Sequence, residues 1–277
     1  MPSDRYAVIG HPVSHSLSPR IHARFAEQTG EDLVYERLEA PVDGFAEYAG
    51  QFFSEGGRGL NVTVPFKAEA CAWADRASGR ATAAGVANTL ARADDGGIEA
   101  DNTDGVGLVR DLRHNLGLTL RSARILLIGA GGAARGVLGP LLAEHPGSLL
   151  LVNRTAERAW TLADAFADHG PVSGGGFGDI GDRAFDLVIN ASAASLGGAL
   201  PPLPAATVAR GGAVYDLMYG TAARPFLQWG RDAGAELVSD GLGMLVEQAA
   251  ESFLVWRGRR PDTGPVLAEL QTESAGE

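Results

Sequence analysis

The amino-acid sequence predicts an α/β protein of two domains, on three observations. Apolar runs of strand length alternate with helix-length stretches along most of the chain, the order that builds sheets with helical connections. One such run, Arg124 to Ile128, leads through a glycine turn into a helix, and a second, Ser148 to Asn153, follows after a helix-length gap. The chain before this unit already alternates in the same way, so it forms an α/β domain of its own; 277 residues suffice for two ordinary domains.

Taken in order, Tyr6 to Gly10 reads as the first strand. The segment HPVSHSLSP follows, then a helix from Pro19 to about Gln28, opened by the proline with Ser18 placed to cap it. Val34 to Glu39 is a strand, Gly44 to Ser54 a helix, Gly59 to Thr63 a strand running into Pro65, and Phe66 to Arg76 a helix. Asp94 to Gly97 joins two short segments as a hairpin turn, and Asp104 begins another helix. Beyond Asn153 the expected order is a helix from about Thr155 to Asp168, a glycine-rich loop from Ser173 to Gly178 and a strand from Asp186 to Asn190. A strand from Ala213 to Met218, a helix from Pro225 to Ala233 and a last strand from Ala235 to Ser239 come next. From Leu242 the chain is mostly helical, and Ala193 to Ala206, rich in small residues and proline, is the most loop-like stretch.

Charge and cysteine content exclude several functions. Asp and Glu number 34 against 23 Lys and Arg, with no basic run, which argues against a nucleic-acid partner. The single cysteine, Cys71, rules out an intramolecular disulfide framework and fits a reducing cytoplasm. No apolar run has the length of a membrane span, and the first residues lack the pattern of a signal peptide, so a soluble, unprocessed protein is expected. No Cys or His cluster has metal-ligand spacing. Asp101 to Gly105 has the look of a calcium loop, but Ala100 stands where its first acid belongs; no G-x-S-x-G of a serine hydrolase is present.

The turn after Ile128 reads Gly129-Ala130-Gly131-Gly132-Ala133-Ala134. This is a dinucleotide-binding turn of Rossmann type with alanine in the third glycine position: Gly129 for the tight turn, Gly131 for close approach of a pyrophosphate, Ala134 for helix packing. Free N–H groups at the helix start face the phosphates. At the tip of the second strand, where NAD proteins usually carry an acid for the ribose hydroxyls, stand Asn153, Arg154 and Thr155, followed by Arg158. Two guanidiniums and no carboxylate favour a 2′-phosphate, hence NADP. The plainer reading of Arg154 and Arg158, four residues apart, is a solvated helix face.

Three polar clusters lie at strand ends: Ser14 to Ser18, Asn61 to Lys67, and Asn88-Thr89 with Asp101 to Asp104. Along an extended chain Ser16 and Ser18 point one way, as do Asn61 and Thr63, so each pair offers neutral hydrogen-bonding groups suited to a hydroxylated small molecule. Lys67 and Asp104 are the obvious ionisable pair, and carbonyl reduction needs a proton donor. Helix caps, turn asparagines and an exposed first-turn lysine are the plainer explanations.

With these clusters and the glycine turn in order along nearly its whole length, the chain resembles the shikimate dehydrogenase family. Tyr6 to Gly10 with Ser14 to Pro19, Asn61 to Lys67, Asn88-Thr89, Asp101 to Gly105, Gly129 to Arg135, Asn153 to Thr155, Tyr215 to Tyr219, and Asp240 to Val246 with Gln248 carry the match. The resemblance implies NADPH-dependent, reversible reduction of 3-dehydroshikimate to shikimate in aromatic amino-acid biosynthesis. It implies that Ser16, Ser18 and Tyr219 hold the substrate carboxylate and that Asn61, Thr63, Asn88, Asp104 and Gln248 contact ring hydroxyls. Lys67 would be the acid/base group, held by Asp104, and Gly129 to Ala133, Asn153 to Thr155, Arg158, Met218 and Gly241 would line the cofactor. It also returns the last helices to the first domain, giving a substrate domain of residues 1–103 and 242–277 and an NADP-binding domain of residues 104–241. Two departures stand out: Ala134 where the family commonly has serine, and Ala191 to Gly198, where a threonine-rich or proline-containing loop is usual. Quinate or an amino-substituted shikimate is the alternative substrate, and a catalytically silent NADP-binding regulator the alternative class.

Overall fold

The computed structural model describes residues 3–192 and 200–274. Their contacts divide the chain into two compact units, one of residues up to Gly107 together with those from Leu245 on, the other Leu108–Met244. The C-terminal residues from Leu245 on thus belong to the first unit.

In the first unit, six strands form one sheet: β1 (Asp4–Gly10), β2 (Leu33–Glu39), β3 (Gly57–Val62), β4 (Arg76–Ala77), β5 (Thr89–Arg92) and β6 (Ile98–Asp101). Their order is β2-β1-β3-β5-β6-β4, parallel from β2 to β3 and antiparallel across β3-β5-β6. The helices of this part are α1 (Ser18–Thr29), α2 (Phe45–Ser54), α3 (Lys67–Trp73) and α4 (Gly79–Ala84). Two helices, α5 (Asp104–Arg110) and α9 (Leu242–Arg257), carry the chain across the unit boundary, and α10 (Gly264–Ser274) closes the first unit. A core of Ile9, Phe45, Phe53, Leu60, Phe66 and Leu90 sits under α2 and α3. The helix expected from Phe66 to Arg76 stops at Trp73, because Ala74 takes extended backbone and Arg76–Ala77 pairs with β6.

The second unit is a six-stranded parallel sheet of β7 (Arg124–Ile128), β8 (Ser148–Val152), β9 (Val172–Gly175), β10 (Phe185–Asn190), β11 (Val208–Asp216) and β12 (Leu237–Ser239). Helices α6 (Gly132–Ala143), α7 (Ala156–Ala165) and α8 (Arg224–Asp232) connect them. The spatial order, β9-β8-β7-β10-β11-β12, is the doubly wound order of dinucleotide-binding sheets. Ile125 and Leu127 of β7 enter one core while Leu126 and Ile128 enter the other. Leu149 and Leu151 against Leu150 and Val152 of β8 repeat the split. Because successive side chains point to opposite faces and both faces are covered, these strands had to read as unbroken apolar runs.

The glycine-rich stretch expected as a loop is strand β9 with a 3-10 turn, Phe177–Ile180, behind it. A Cβ on Gly174 would lie 2.4 Å from the carbonyl oxygen of Ala159 in α7, so glycine here permits a helix to press onto a sheet edge. Of the loop-like stretch Ala193 to Ala206, residues 193–199 lie outside the described residues. No helix among the described residues is long and apolar enough to cross a membrane.

Candidate active site

In the first sheet β1 has β2 on one side and β3 on the other, the kind of reversal in strand order outside whose C-terminal ends α/β sheets bind ligands. The loops after β1 and β3 both leave at this point. They are tied by backbone hydrogen bonds, Thr63 N–H to the Ile9 carbonyl at 3.0 Å and His11 N–H to the Val64 carbonyl at 2.9 Å. A Cβ on Gly10 would lie 2.4 Å from Cγ2 of Thr63, so the close crossing needs glycine.

On the β1 side, the Ser16 and Ser18 hydroxyls stand 3.2 Å apart, and Arg37 donates twice to the Ser16 carbonyl, at 3.1 and 2.6 Å. Ser18 does not cap α1, contrary to expectation. It is the first helical residue, Leu17 holds the cap position without a side-chain hydrogen bond, and Pro19 falls at the helix start. The buried Ser18 hydroxyl is thereby released from the capping role.

On the β3 side, Lys67 opens α3 and its ammonium meets Asp104 Oδ2 at 2.5 Å. The side chains are 17% and 7% exposed, so neither belongs to a solvated surface pair. The other carboxylate oxygen of Asp104 accepts from Asn88 Nδ2 at 2.8 Å. With both oxygens engaged sideways, Asp104 is no cap for α5; its own N–H donates instead to the Asn102 side-chain carbonyl at 3.1 Å.

Asn88 is the hub behind the pair. Its Nδ2, which has two protons to give, also stands 2.8 Å from Thr103 Oγ1 and 3.1 Å from Gln248 Oε1, while its Oδ1 accepts from the Thr103 N–H at 2.8 Å. A backbone N–H can only donate, so the amide orientation is determined by the fold. Gln248 reaches this hub because Gly107 lacks a side chain: a Cβ there would stand 2.6 Å from that of Gln248. Thr63, partly buried, has no side-chain hydrogen bond among the described residues. The first unit thus joins Asn61, Lys67, Asn88, Asp104 and Gln248 through hydrogen bonds, and pairs Ser16 with Ser18 after β1. Tyr219 lies in the second unit, directly before a 3-10 turn, Gly220–Ala222.

In the second unit the glycine turn sits where the strand order reverses, between β7 and β10. Gly129 has φ +109°, and a Cβ on it would lie 3.0 Å from the Ala191 backbone at the end of β10. Gly131 is exposed, a Cβ there would meet nothing within 4 Å, and the start of α6 carries no side-chain cap. These free first-turn N–H groups with open space before them suit a pyrophosphate. Ala133 lies in that first turn, and Ala134 is fully buried in the core, as its packing role requires. At the tip of β8, Asn153 Nδ2 donates to the Thr155 carbonyl at 2.9 Å. Arg154 and Arg158 are exposed, and neither guanidinium has an ion-pair or hydrogen-bond partner among the described residues. Two unneutralised guanidiniums at this strand tip fit the 2′-phosphate of NADP. Met218 and Gly241 are joined at the ends of β11 and β12 by a 2.9 Å backbone hydrogen bond, and a Cβ on Gly241 would lie 2.2 Å from the Leu217 carbonyl oxygen.

The chain is 56% identical to the NADP(+) shikimate dehydrogenase of Methylococcus capsulatus, over 98% of this chain and 97% of that one. It is 57% identical to that of Aromatoleum aromaticum over the full length of both. The chain belongs to the shikimate dehydrogenase family. Family profiles agree: residues 8–90 match the shikimate dehydrogenase substrate binding domain, residues 111–195 shikimate / quinate 5-dehydrogenase, and residues 241–271 the shikimate 5′-dehydrogenase C-terminal domain. Among solved structures, the Ael1 enzyme from Pseudomonas putida is 46% identical with a TM-score of 0.88, covering 97% of this chain and 98% of that one. A shikimate 5-dehydrogenase from Thermus thermophilus solved with NADP(H) and shikimate is 32% identical with a TM-score of 0.84, covering 98% and 99%.

Within this shikimate dehydrogenase fold, the structure adds residues that sequence reasoning missed as a set. Thr89, Thr103 and Ser252 are fully buried and their hydroxyls interlock, Thr89 with Ser252 at 2.8 Å and Thr103 with Ser252 at 3.1 Å. One signal was present: Ser252 lies four places after Gln248, on the same face of α9. Arg80 grips both oxygens of Asp101, at 2.6 and 2.7 Å, and reaches Glu251 of α9 at 3.1 Å, fixing the turn that leads to Asp104.

Proposed function

We infer that this chain catalyses the NADPH-dependent, reversible reduction of 3-dehydroshikimate to shikimate in aromatic amino-acid biosynthesis, with Lys67 and Asp104 as its acid/base pair. The observation that carries the assignment of roles is the largely buried Lys67–Asp104 ion pair, set among neutral hydrogen-bonding side chains. Ser16 and Ser18 are assigned to the substrate carboxylate, and Asn61, Thr63, Asn88 and Gln248 to ring hydroxyls. Asn88 is fully engaged within the protein, and the longest of its three Nδ2 contacts, 3.1 Å to Gln248, is the one a ring hydroxyl would replace.

NADPH, when bound, supplies the hydride. The glycine turn with Ala130 and Gly132 receives its pyrophosphate, and Arg154 and Arg158, flanked by Asn153 and Thr155, receive its 2′-phosphate. At the reacting carbonyl the Lys67 ammonium stabilises negative charge as it develops on oxygen and delivers the proton that completes the hydroxyl. Asp104, held by Asn88 on its other oxygen, keeps the ammonium in place through that change. In the oxidative direction the neutral Lys67 amine takes the hydroxyl proton back. A silent regulator would have no use for a desolvated lysine in this setting, and desolvating an ion pair is costly unless it serves a purpose.

The substrate is tested in the oxidative direction: purified protein with NADP and either shikimate or quinate, the products identified chromatographically. Formation of 3-dehydroshikimate with little turnover of quinate is expected; preferential consumption of quinate would assign the chain to the sister activity. Anchoring is tested at Ser18. Ser18→Ala is expected to raise KM for shikimate roughly tenfold, the worth of a hydrogen bond to a charged group at its lower end. Melting temperature should stay unchanged, since Ser18 caps nothing; a lost cap would instead cost about 1 kcal/mol.

A further inference from the structure

Asn61, on β3, is nearly buried and its amide is almost used up by the protein. Nδ2 donates to Ser252 Oγ at 2.9 Å and lies 3.2 Å from the Asn88 carbonyl and 3.3 Å from Thr89 Oγ1. The carbonyl oxygen can only accept, so the NH2 side of the amide must face it and Oδ1 must face the other way. There Oδ1 meets the Tyr35 hydroxyl at 2.7 Å, and because Oδ1 cannot donate, Tyr35 does. What Asn61 has left is one lone pair on Oδ1.

Tyr35 is itself held by aromatic packing. The His22 ring lies flat on it, with centroids 4.2 Å apart and planes 5° from parallel, and Trp256 flanks both rings. His22 is fully buried, and neither ring nitrogen has a partner of hydrogen-bond geometry. Burial lowers its pKa to about 3, opposed by the nearby Asn61 amide, so the ring is a neutral plate that fixes Tyr35 without a charge of its own. Burial also raises the pKa of the Tyr35 hydroxyl well above its ordinary value, opposed by Ser18, which keeps it a donor.

We propose that Tyr35 is a positioning residue for substrate binding: its hydroxyl donates to Asn61 Oδ1, fixes the amide, and reserves the one remaining lone pair for a ring hydroxyl. This rests on the assignment of Asn61 to the substrate. Tyr35 stands on β2, one strand removed from Asn61 across β1, and acts on the ring hydroxyl through that amide; its hydroxyl also meets Ser18.

Tyr35→Phe keeps the ring and its stacking and removes only the donor. KM for shikimate should rise about threefold to tenfold, with kcat and KM for NADP within about twofold of the parent. A purely structural tyrosine would instead lower melting temperature and move all three constants together. In an Asn61→Ala background, itself raised in KM, Tyr35→Phe should add less than about twofold, because the group it acts through is gone. If Asn61→Ala does not fold, Asn61→Ser takes its place in the cycle. An unchanged KM in Tyr35→Phe, or its full effect repeated in the Asn61→Ala background, overturns the proposal while leaving Asn61 on the substrate. An unchanged KM in Asn61→Ala removes Asn61 from the substrate site, and the proposal with it.

Discussion

Lys67→Met is expected to lower kcat by about 10² to 10⁴, the usual worth of a positioned general acid. Methionine keeps the length of the side chain and removes its charge and proton. Hydride reaching a carbonyl carbon leaves negative charge on oxygen, and the group lost is the one proposed to stabilise that charge and protonate it. Shikimate binding should suffer less, because the hydroxyl and amide contacts proposed for Ser16, Ser18, Thr63 and Gln248 do not involve Lys67. The variant also leaves Asp104 without its cation at a site where the carboxylate is 7% exposed. Asn88 still donates to that carboxylate, so the protein should fold, and circular dichroism with NADPH binding checks that it does. A surface lysine would predict no change in either constant, and the geometry already speaks against one.

The second large effect is on cofactor choice. Arg154→Ala should lower kcat/KM for NADPH roughly tenfold to a hundredfold, since a charge-assisted hydrogen bond to phosphate contributes about 1.5 to 3 kcal/mol. Use of NADH, which has no 2′-phosphate, should move less than about threefold. Arg158, one helical turn further on, should behave the same way with a smaller effect, and both follow from guanidiniums that no carboxylate among the described residues neutralises. Kinetics with both cofactors check this; a parallel loss for NADPH and NADH would mean that Arg154 supports the fold and not the 2′-phosphate.

What the sequence made legible was governed by local rules. The β7-turn-α6-β8 unit stood out because each of its strands feeds two cores and therefore carries an unbroken apolar run, and because the turn needs glycine where φ is positive. Lys67 and Asp104 were legible as an ionisable pair but not as neighbours, being 37 residues apart. Local rules also misled. Ser18 before a proline has the sequence of a cap, yet the helix begins one residue earlier and leaves the hydroxyl to the site. Ser173 to Gly178 has the composition of a loop, yet Gly174 lets α7 close on an edge strand. The polar network behind the site was hidden for a different reason: Asn61 and Ser252 are separated by 191 residues. No periodicity or spacing rule couples positions so far apart; only the return of α9 to the first unit does.

The most direct measurement is the initial rate of NADPH oxidation with 3-dehydroshikimate by the unmodified protein, set beside NADPH with 3-dehydroquinate, NADH with each substrate, and Lys67→Met. Rapid turnover is expected in the first combination, at least tenfold slower turnover in the other cofactor and substrate pairs, and a Lys67→Met rate about 10² or more below the parent. Equal turnover of NADH, or a Lys67→Met rate within about threefold of the parent, would contradict it.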